Sequence, residues 1–273
     1  MQRTFSTPGP VDLVVTLGGG DVTVHASEVD HTDVEVTGDD ADEVTIEQRG
    51  DEIHVVAPQR RGGLFSRGPQ LVVTVSLPTG SGLTTKLGSA DVTATGELGE
   101  VRIKTGSGAV RLEAAVGDTR LETGSGDVVV GSVQGDLRAS TGSGDLDLGN
   151  VGGAASATTG SGSIRLGAVT GEVAVRTGSG DLAVGEVRSD AALRTGSGEI
   201  EIDRAVSGRL VARTGSGDVR VGVPRGTPVW TDIQTGSGRV RNGIEAVGEP
   251  AEGQDYVELH AKTGSGSVYL DAR

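Results

Sequence analysis

Hydrophobic and polar residues alternate in short runs along most of the chain, and each run ends near a glycine. Val128 and Val130 point to one side of an extended chain, while Val129 points to the other. Ile200 and Ile202 flank a glutamate in the same way. A period of two residues is typical of a β-strand with one buried face, and it excludes a helical repeat. We therefore expect an all-β protein.

The runs belong to a longer repeat that carries the tetrapeptide TGSG. This tetrapeptide begins at Thr105, recurs every eighteen residues as far as Thr195, and returns at wider intervals at Thr214, Thr235 and Thr263. Each period divides into two halves with a Gly-Asp-apolar core, as in TGSGDVVVG and SVQGDLRAS. A fixed period of this kind is typical of a solenoid, and glycine suits its corners. The pattern predicts a two-faced parallel β-solenoid of about 18 residues per turn, with two strands per coil.

The repeat changes at both ends of the chain. Residues 1–78 contain strand-like runs with a looser repeat, and we interpret them as an N-terminal β cap, because the end of a solenoid needs protection from edge pairing. Residues 79–242 form the regular solenoid. Residues 243–273 contain an insertion and a closing coil, which we expect to cap the C-terminal end.

The composition limits the core and the class of partner. Aromatic residues make up 2% of the chain and glycine accounts for 47 positions, so the core must consist of small aliphatic side chains. No cysteine is present, which excludes disulfides, thiolate metal sites and cysteine nucleophiles. A net charge of −14 favours solubility and argues against nucleic-acid binding, which needs a basic footprint.

The sequence shows no targeting signal. The first residues lead into an alternating strand without a basic segment, a long apolar core or a small-residue cleavage site. No apolar run approaches the roughly 18 residues of a membrane span. These features predict a cytoplasmic location and leave envelope association open.

The residue pattern gives no support for catalysis. The serine of GSG recurs in every coil, whereas a nucleophile needs its own base and orienting group. His25, His31, His54 and His260 are scattered without metal-ligand spacing. We therefore predict a non-enzymatic protein without catalytic residues, cofactor or metal.

A column of aspartates follows the corner glycines. Its members are Asp91, Asp127, Asp145, Asp181 and Asp218. Stacked carboxylates could hold calcium, which makes a calcium-stabilised β-roll one alternative. However, the acid stands one place after the glycine here, whereas the calcium nonapeptide requires it two places after the glycine. We favour aspartates that accept hydrogen bonds from the local backbone of their turn.

A column of threonines begins each TGSG corner. Thr105, Thr123, Thr141, Thr159, Thr177, Thr195 and Thr214 share the strand side of inward aliphatic residues. An outward ladder could order water. We favour an inward ladder whose hydroxyls satisfy backbone groups at the corners, because buried polar groups need partners.

Basic residues occupy the outward positions of the same strands. They are Arg102, Lys104, Arg120, Arg138, Arg176, Arg194 and Arg213, with Lys86 and Lys262 at equivalent offsets. Only Glu122 is expected to oppose them. A basic face on an acidic chain could bind an acidic polymer, a lipid headgroup surface or an acidic protein, since arginine matches carboxylate and phosphate geometry. The alternative is a solvated face that prevents aggregation.

A second candidate contact is the loop RRGGLFSRG. Its relevant residues are Arg60, Arg61, Leu64, Phe65 and Arg67. Exposed apolar residues flanked by arginines favour contact with a partner or a membrane surface. Equally, the loop could be part of the cap, with Phe65 covering the first coil.

Several segments together resemble one known family. The TGSGDV series, an early LGGGDV, and the closing segments TPVWTDIQTGSGRVRN and DYVELHAKTGSGSVYL are similar to the DUF4097 family of bacterial β-strand repeat proteins, which have been described as proposed adhesins. The resemblance implies a β-solenoid with an adhesive or scaffold role at the cell envelope, and it supplies no catalytic motif. A carbohydrate-active enzyme, either a polysaccharide lyase or a hydrolase, stays open by analogy with parallel β-helices.

Overall fold

The chain folds into two compact units, Met1–Gly135 and Asp136–Arg273. The computed structural model describes residues 1–58, 70–245, 247–248 and 250–273. Within these ranges both units consist of β-strands joined by tight turns, without α-helix, and one 3-10 turn lies at Ala41–Glu43. The all-β prediction is confirmed. The domain boundaries expected after residues 78 and 242 stay a prediction.

Unit 1 combines a parallel stack with antiparallel strands. Its strands are β1 (Gln2–Ser6), β2 (Asp12–Ser27), β3 (His31–Gly38), β4 (Thr45–Arg49), β5 (Glu52–Val56), β6 (Leu71–Pro78), β7 (Gly82–Leu98), β8 (Val101–Thr105), β9 (Val110–Ala115), β10 (Thr119–Thr123) and β11 (Val128–Val133). Strands β8 and β9 both stack in parallel on β7, and β10 and β11 continue the two series.

The segment before the repeat ends this stack with antiparallel pairs. Strand β2 pairs in parallel with β7 on one edge and with β5 and β6 on the other. Strand β3 is antiparallel to β6, β1 to β3, and β4 to β5. The role of residues 1–78 as an N-terminal β cap stays a prediction.

Strands β2 and β7 differ from the expected two strands per coil, because each runs unbroken through the corner. Leu87 of β7 lies in register with Thr105, the first threonine of the TGSG series. Leucine has no hydroxyl with which to bind the corner backbone, so the strand continues its ladder where later coils turn.

Unit 2 contains two parallel series of strands. They are β12 (Leu137–Thr141), β13 (Leu146–Val151), β14 (Ala155–Thr159), β15 (Ile164–Val169), β16 (Val173–Ser179), β17 (Leu182–Val187), β18 (Ala191–Ser197), β19 (Ile200–Ala205), β20 (Gly208–Ser216), β21 (Val219–Val223), β22 (Val229–Ser237), β23 (Val240–Asn242), β24 (Val257–Ser265) and β25 (Val268–Ala272). The even-numbered strands form sheet A and the odd-numbered strands form sheet B.

The register stacks equivalent residues of successive coils in unit 2. Thr159 lies beside Thr177, eighteen residues later, and Ile164 lies beside Leu182. The inward file of sheet B is continuous and buried; its members are Leu146, Ile164, Leu182, Ile200, Val219 and Val268. The core of each coil therefore consists of stacked aliphatic side chains, and each fully buried one contributes about 1.5–3 kcal/mol.

The last strands of unit 2 stack in an order that we did not expect. The closing strand β24 lies between β20 and β22, and β25 lies between β21 and β23. We expected the closing coil to cap the stack, and this expectation is wrong. The coil 229–242 is the outermost one, and its Val240 is 48% exposed.

Corner glycines are required by the spacing of the coils. A Cβ on Gly126 would lie less than 3.0 Å from the carbonyl oxygen of Gly108 in the preceding coil. Gly162 stands in the same relation to Gly144 in unit 2. Side chains at these positions would force neighbouring coils apart.

We expect Gly126→Val to lower the free energy of unfolding by about 2–3 kcal/mol, because the added side chain overpacks the corner. Urea unfolding of the full chain measures this change. Gly9→Val is the matched control, since a Cβ on Gly9 meets no atom within 4 Å. Equal stability of the two variants would contradict the corner assignment.

Candidate functional site

The threonine column points inward, as predicted. Its members are buried; they are Thr105, Thr123, Thr141, Thr159, Thr177, Thr195 and Thr214, joined by Thr263. The hydroxyl of Thr159 donates to the carbonyl of Gly144 at 3.0 Å and accepts from the N–H of Gly162 at 3.1 Å. Because Gly144 belongs to the preceding coil, the hydroxyl of Thr159 joins two successive corners, and those of Thr177 and Thr195 likewise donate to the corner before their own. This column is structural and offers no surface.

The aspartate column also binds backbone, but its partners differ from our expectation. Asp145 accepts a hydrogen bond from the N–H of Ser163 at 2.8 Å, and Asp181 accepts one from Glu199 at 2.8 Å. Each partner lies eighteen residues later, so the expected local turn contact is wrong and the bond joins neighbouring coils. In the part of the chain that the structure describes, no three His, Asp or Glu side chains are grouped to hold a metal ion.

The basic residues of unit 1 are paired with acids. Arg102 forms an ion pair with Glu100, and Lys104 and Arg120 both contact Glu122. The hydrogen bond from Arg120, followed by that from Lys104, lowers the pKa of Glu122 below its ordinary value. The expectation that only Glu122 opposes these cations is wrong, because Glu100 does so as well. Two carboxylates thus offset part of the positive charge of this region, while Lys86 is exposed without an ion pair among the described residues.

The basic residues of unit 2 form a row on sheet A. Arg176, Arg194 and Arg213 lie in register on adjacent strands, and Lys262 continues the series on β24. We call these four residues the cation row. All four are exposed, and none forms an ion pair with any acid in the described ranges. Arg138 is also exposed but lies beside Ser156, outside the row.

The cation row stands between two lanes of small residues. The outward residues that precede it by two positions are Ala174, Ala192 and Val211 on the first three strands and His260 on β24. Those that follow it by two positions are glycines on all four strands. Adjacent strands are about 4.8 Å apart, so the row presents like charges at close and regular intervals. Its cationic tips are accessible from both sides.

Aromatic residues lie at the C-terminal end of sheet A. Trp230, on the outermost strand β22, is 54% exposed, and its ring centroid is 5.2 Å from that of His260 at an angle of 56°. His260 Nε2 hydrogen-bonds Glu258 Oε1 at 2.7 Å, and His260 Nδ1 lies 3.4 Å from Asp232 Oδ2. The sequence pattern did not predict this cluster.

An open cavity of about 380 Å³ adjoins this cluster through Glu258, which lines the cavity and is hydrogen-bonded to His260. It is lined by Asp190, Ser207, Gly208, Arg209, Gln254, Asp255, Tyr256 and Glu258. Tyr256 is 48% exposed. The walls therefore combine acidic side chains, an amide, an arginine and one aromatic side chain at the rim. The sequence feature that could have predicted this site is a pair of aromatic residues near the starts of two strands of sheet A. Trp230 in PVW lies at the start of β22, and Tyr256 in DYV directly precedes β24.

The loop with Arg60, Arg61, Leu64, Phe65 and Arg67 lies outside the described residues. Its proposed contact role stays a prediction. In the described part of the chain, no helix has the length and apolar character needed to cross a membrane.

A comparison with models of protein families shows to which family the chain belongs. A family model described as Toastrack DUF4097 matches residues 11–271, which is nearly the whole sequence. The chain belongs to the DUF4097 family. The resemblance seen in the repeat and in the closing segments of this DUF4097 protein is thereby confirmed, together with the β-solenoid fold.

Solved structures similar to this DUF4097 protein come from several bacteria. A proposed adhesin from Bacteroides fragilis is 13% identical, with a TM-score of 0.44 over 99% of this chain and 96% of that one. A proposed lipid-binding protein from Parabacteroides distasonis is 16% identical, with a TM-score of 0.46 over 99% and 96%. Comparison with curated proteins gives no match.

The threonine ladder makes a direct prediction about stability. We expect Thr159→Val to cost about 1–3 kcal/mol, because it leaves a buried N–H and a buried carbonyl without their partner. The neighbouring Thr158 is exposed, so Thr158→Val should change stability by less than about 0.5 kcal/mol. Urea unfolding of both variants measures the difference. A smaller loss for Thr159→Val than for Thr158→Val would refute the ladder.

Proposed function

We propose that this DUF4097 protein is a non-enzymatic, adhesin-like scaffold, which holds an anionic polymer against sheet A of unit 2 at the bacterial cell envelope. The cation row is the observation that carries the proposal. Family resemblance supports the envelope role, and the predicted cytoplasmic location stays a prediction.

The cation row forms no ion pair that would stabilise the fold among the described residues. Its side chains point away from the core, and like charges on neighbouring strands destabilise a sheet. The chain has 38 acidic residues against 24 basic ones, so acids for pairing are abundant. In unit 1, Glu100 and Glu122 serve this purpose, whereas no acid does so for the row among the described residues. An external anion would relieve the repulsion.

The regular spacing of the row favours a polymer over a single ion. Four cations about 4.8 Å apart match a ligand with closely repeated carboxylate, sulfate or phosphate groups. Such binding is electrostatic and should weaken as salt is added.

The surroundings of the row support binding without chemical conversion. Around Arg176, Arg194 and Arg213 the neighbours on the same face are alanine, valine and glycine, which supply no base, acid or nucleophile; beside Lys262, His260 is bonded to Glu258 and lies near Asp232. A catalytic site needs several such groups within hydrogen-bond distance of one another. An enzyme is therefore the less favoured function for this face.

The proposal predicts that the double variant Arg176→Glu and Arg194→Glu loses binding to dextran sulfate and to polyglutamate, by about tenfold or more at low salt. Surface plasmon resonance against the immobilised polymers measures the affinity. The control is Arg225→Glu with Arg239→Glu, which makes the same change of charge at exposed positions outside sheet A. The control should bind as the wild type does.

Two results would overturn the proposal. One is equal loss of affinity in both double variants, which would mean that net charge alone controls binding. The other is tighter binding to single-stranded DNA than to the acidic polymers, which would assign the row to a nucleic acid.

A further inference from the structure

Two exposed aromatic side chains lie on the same face as the cation row. The chain has only one Trp, two Tyr and two Phe, and Trp230 and Tyr256 are about half exposed. Trp230 lies in register with Glu258 on the next strand, and Tyr256 precedes Glu258 by two residues. The two aromatics therefore stand diagonally on the outer face of sheet A, about 7–8 Å apart between backbones.

The tryptophan ring is supported by a polar network. His260 contacts the ring and is hydrogen-bonded to Glu258, whose carboxylate also lies 3.6 Å from the Nε of Arg209. Asp232 approaches His260 from the outermost strand. A ring held in this way is an ordered, exposed platform, and burying it against a ligand costs little conformational entropy.

The walls of the cavity beside this platform carry groups that suit a hydroxyl-rich ligand. Asp255 and Glu258 supply carboxylate acceptors, Gln254 supplies an amide, and Arg209 supplies donors. Its volume of about 380 Å³ lies within the usual range for small-molecule sites. Carboxylates in the walls accept hydrogen bonds from hydroxyls, whereas they repel phosphate groups.

The platform and the cation row are continuous. His260 and Lys262 are alternate residues of β24 on the same side, about 7 Å apart, and Lys262 begins the row. A ligand that crosses this face would meet an aromatic ring first and regularly spaced cations next. Polyglutamate and polyphosphate carry charges without rings, so they would use only the row.

We infer that the ligand of sheet A is an acidic polysaccharide, with a sugar ring stacked on Trp230 beside the cavity and its anionic groups on the cation row. This inference rests on the proposed function and names the class of polymer. The exposed face of a pyranose ring is apolar enough to pack on indole, and its hydroxyls would reach the cavity walls.

Titration of the full chain with polygalacturonate tests the inference. Because Trp230 is the only tryptophan, its fluorescence reports ligand at this position directly. We expect a saturable change in emission with polygalacturonate and none with polyglutamate. Trp230→Ala should lower the affinity for polygalacturonate about tenfold or more and leave that for polyglutamate unchanged. Trp230→Phe should restore part of the loss.

Val129→Ala is the control for loss of an exposed apolar side chain, since Val129 is 42% exposed and lies in unit 1. Thermal melting of each variant checks that the fold is intact. Light scattering shows whether Trp230→Ala changes the oligomeric state.

The outcomes separate the inference from the proposed function. If both polymers bind equally and Trp230→Ala changes neither affinity, the inference is overturned, while the proposed binding of anionic polymers by sheet A still holds. Failure of both polymers to bind overturns the proposed function. A dimer that Trp230→Ala dissociates would assign the aromatic cluster to a second copy of the chain and overturn the inference. Shortening of polygalacturonate during the titration would overturn the non-enzymatic function.

Discussion

Close backbone stacking at the coil corners is the constraint on which the rest of the structure depends. The glycines of TGSG lie so near the preceding corner that a Cβ would collide with its carbonyl, as at Gly162 over Gly144. The threonine hydroxyl then joins both corners, and an aspartate carboxylate accepts an N–H from the following coil. Three small residue types thus fix the register with few aromatic side chains in the core.

Because equivalent residues of successive coils lie in register, a residue type that repeats along the sequence forms a row on the surface. An outward residue repeated every eighteen positions becomes a row about 4.8 Å apart, whatever its chemistry. Where neighbouring coils carry acids, as around Arg120 and Glu122, the charges cancel. Where Arg176, Arg194 and Arg213 coincide, the fold holds like charges together because the buried inner face determines the alignment.

Much of this architecture could be predicted because it follows from the local periodicity of the sequence. The alternation of residues predicted the strands, and the shared side of threonine and valine predicted the inward ladder. The partner of Asp145 was missed because a turn aspartate was assumed to bind its own turn, whereas it accepts a hydrogen bond from the backbone of the next coil.

The final coil could not be placed from the sequence. A repeat period predicts that each coil follows its predecessor, and nothing local reveals that β24 enters between β20 and β22. This placement brings Lys262 beside Arg213 and His260 beside Trp230, so it creates both the end of the cation row and the aromatic cluster. Family membership confirms the fold, while binding by this face is our proposal.

Disulfide formation between engineered cysteines tests this arrangement most directly, since the chain has no cysteine of its own. The account predicts that Arg213→Cys with Lys262→Cys forms a disulfide under mild oxidation, because adjacent in-register positions satisfy its geometry. Arg213→Cys with Gln234→Cys should stay reduced, since β24 separates those two strands. Rapid oxidation of the second pair and not the first would contradict the account.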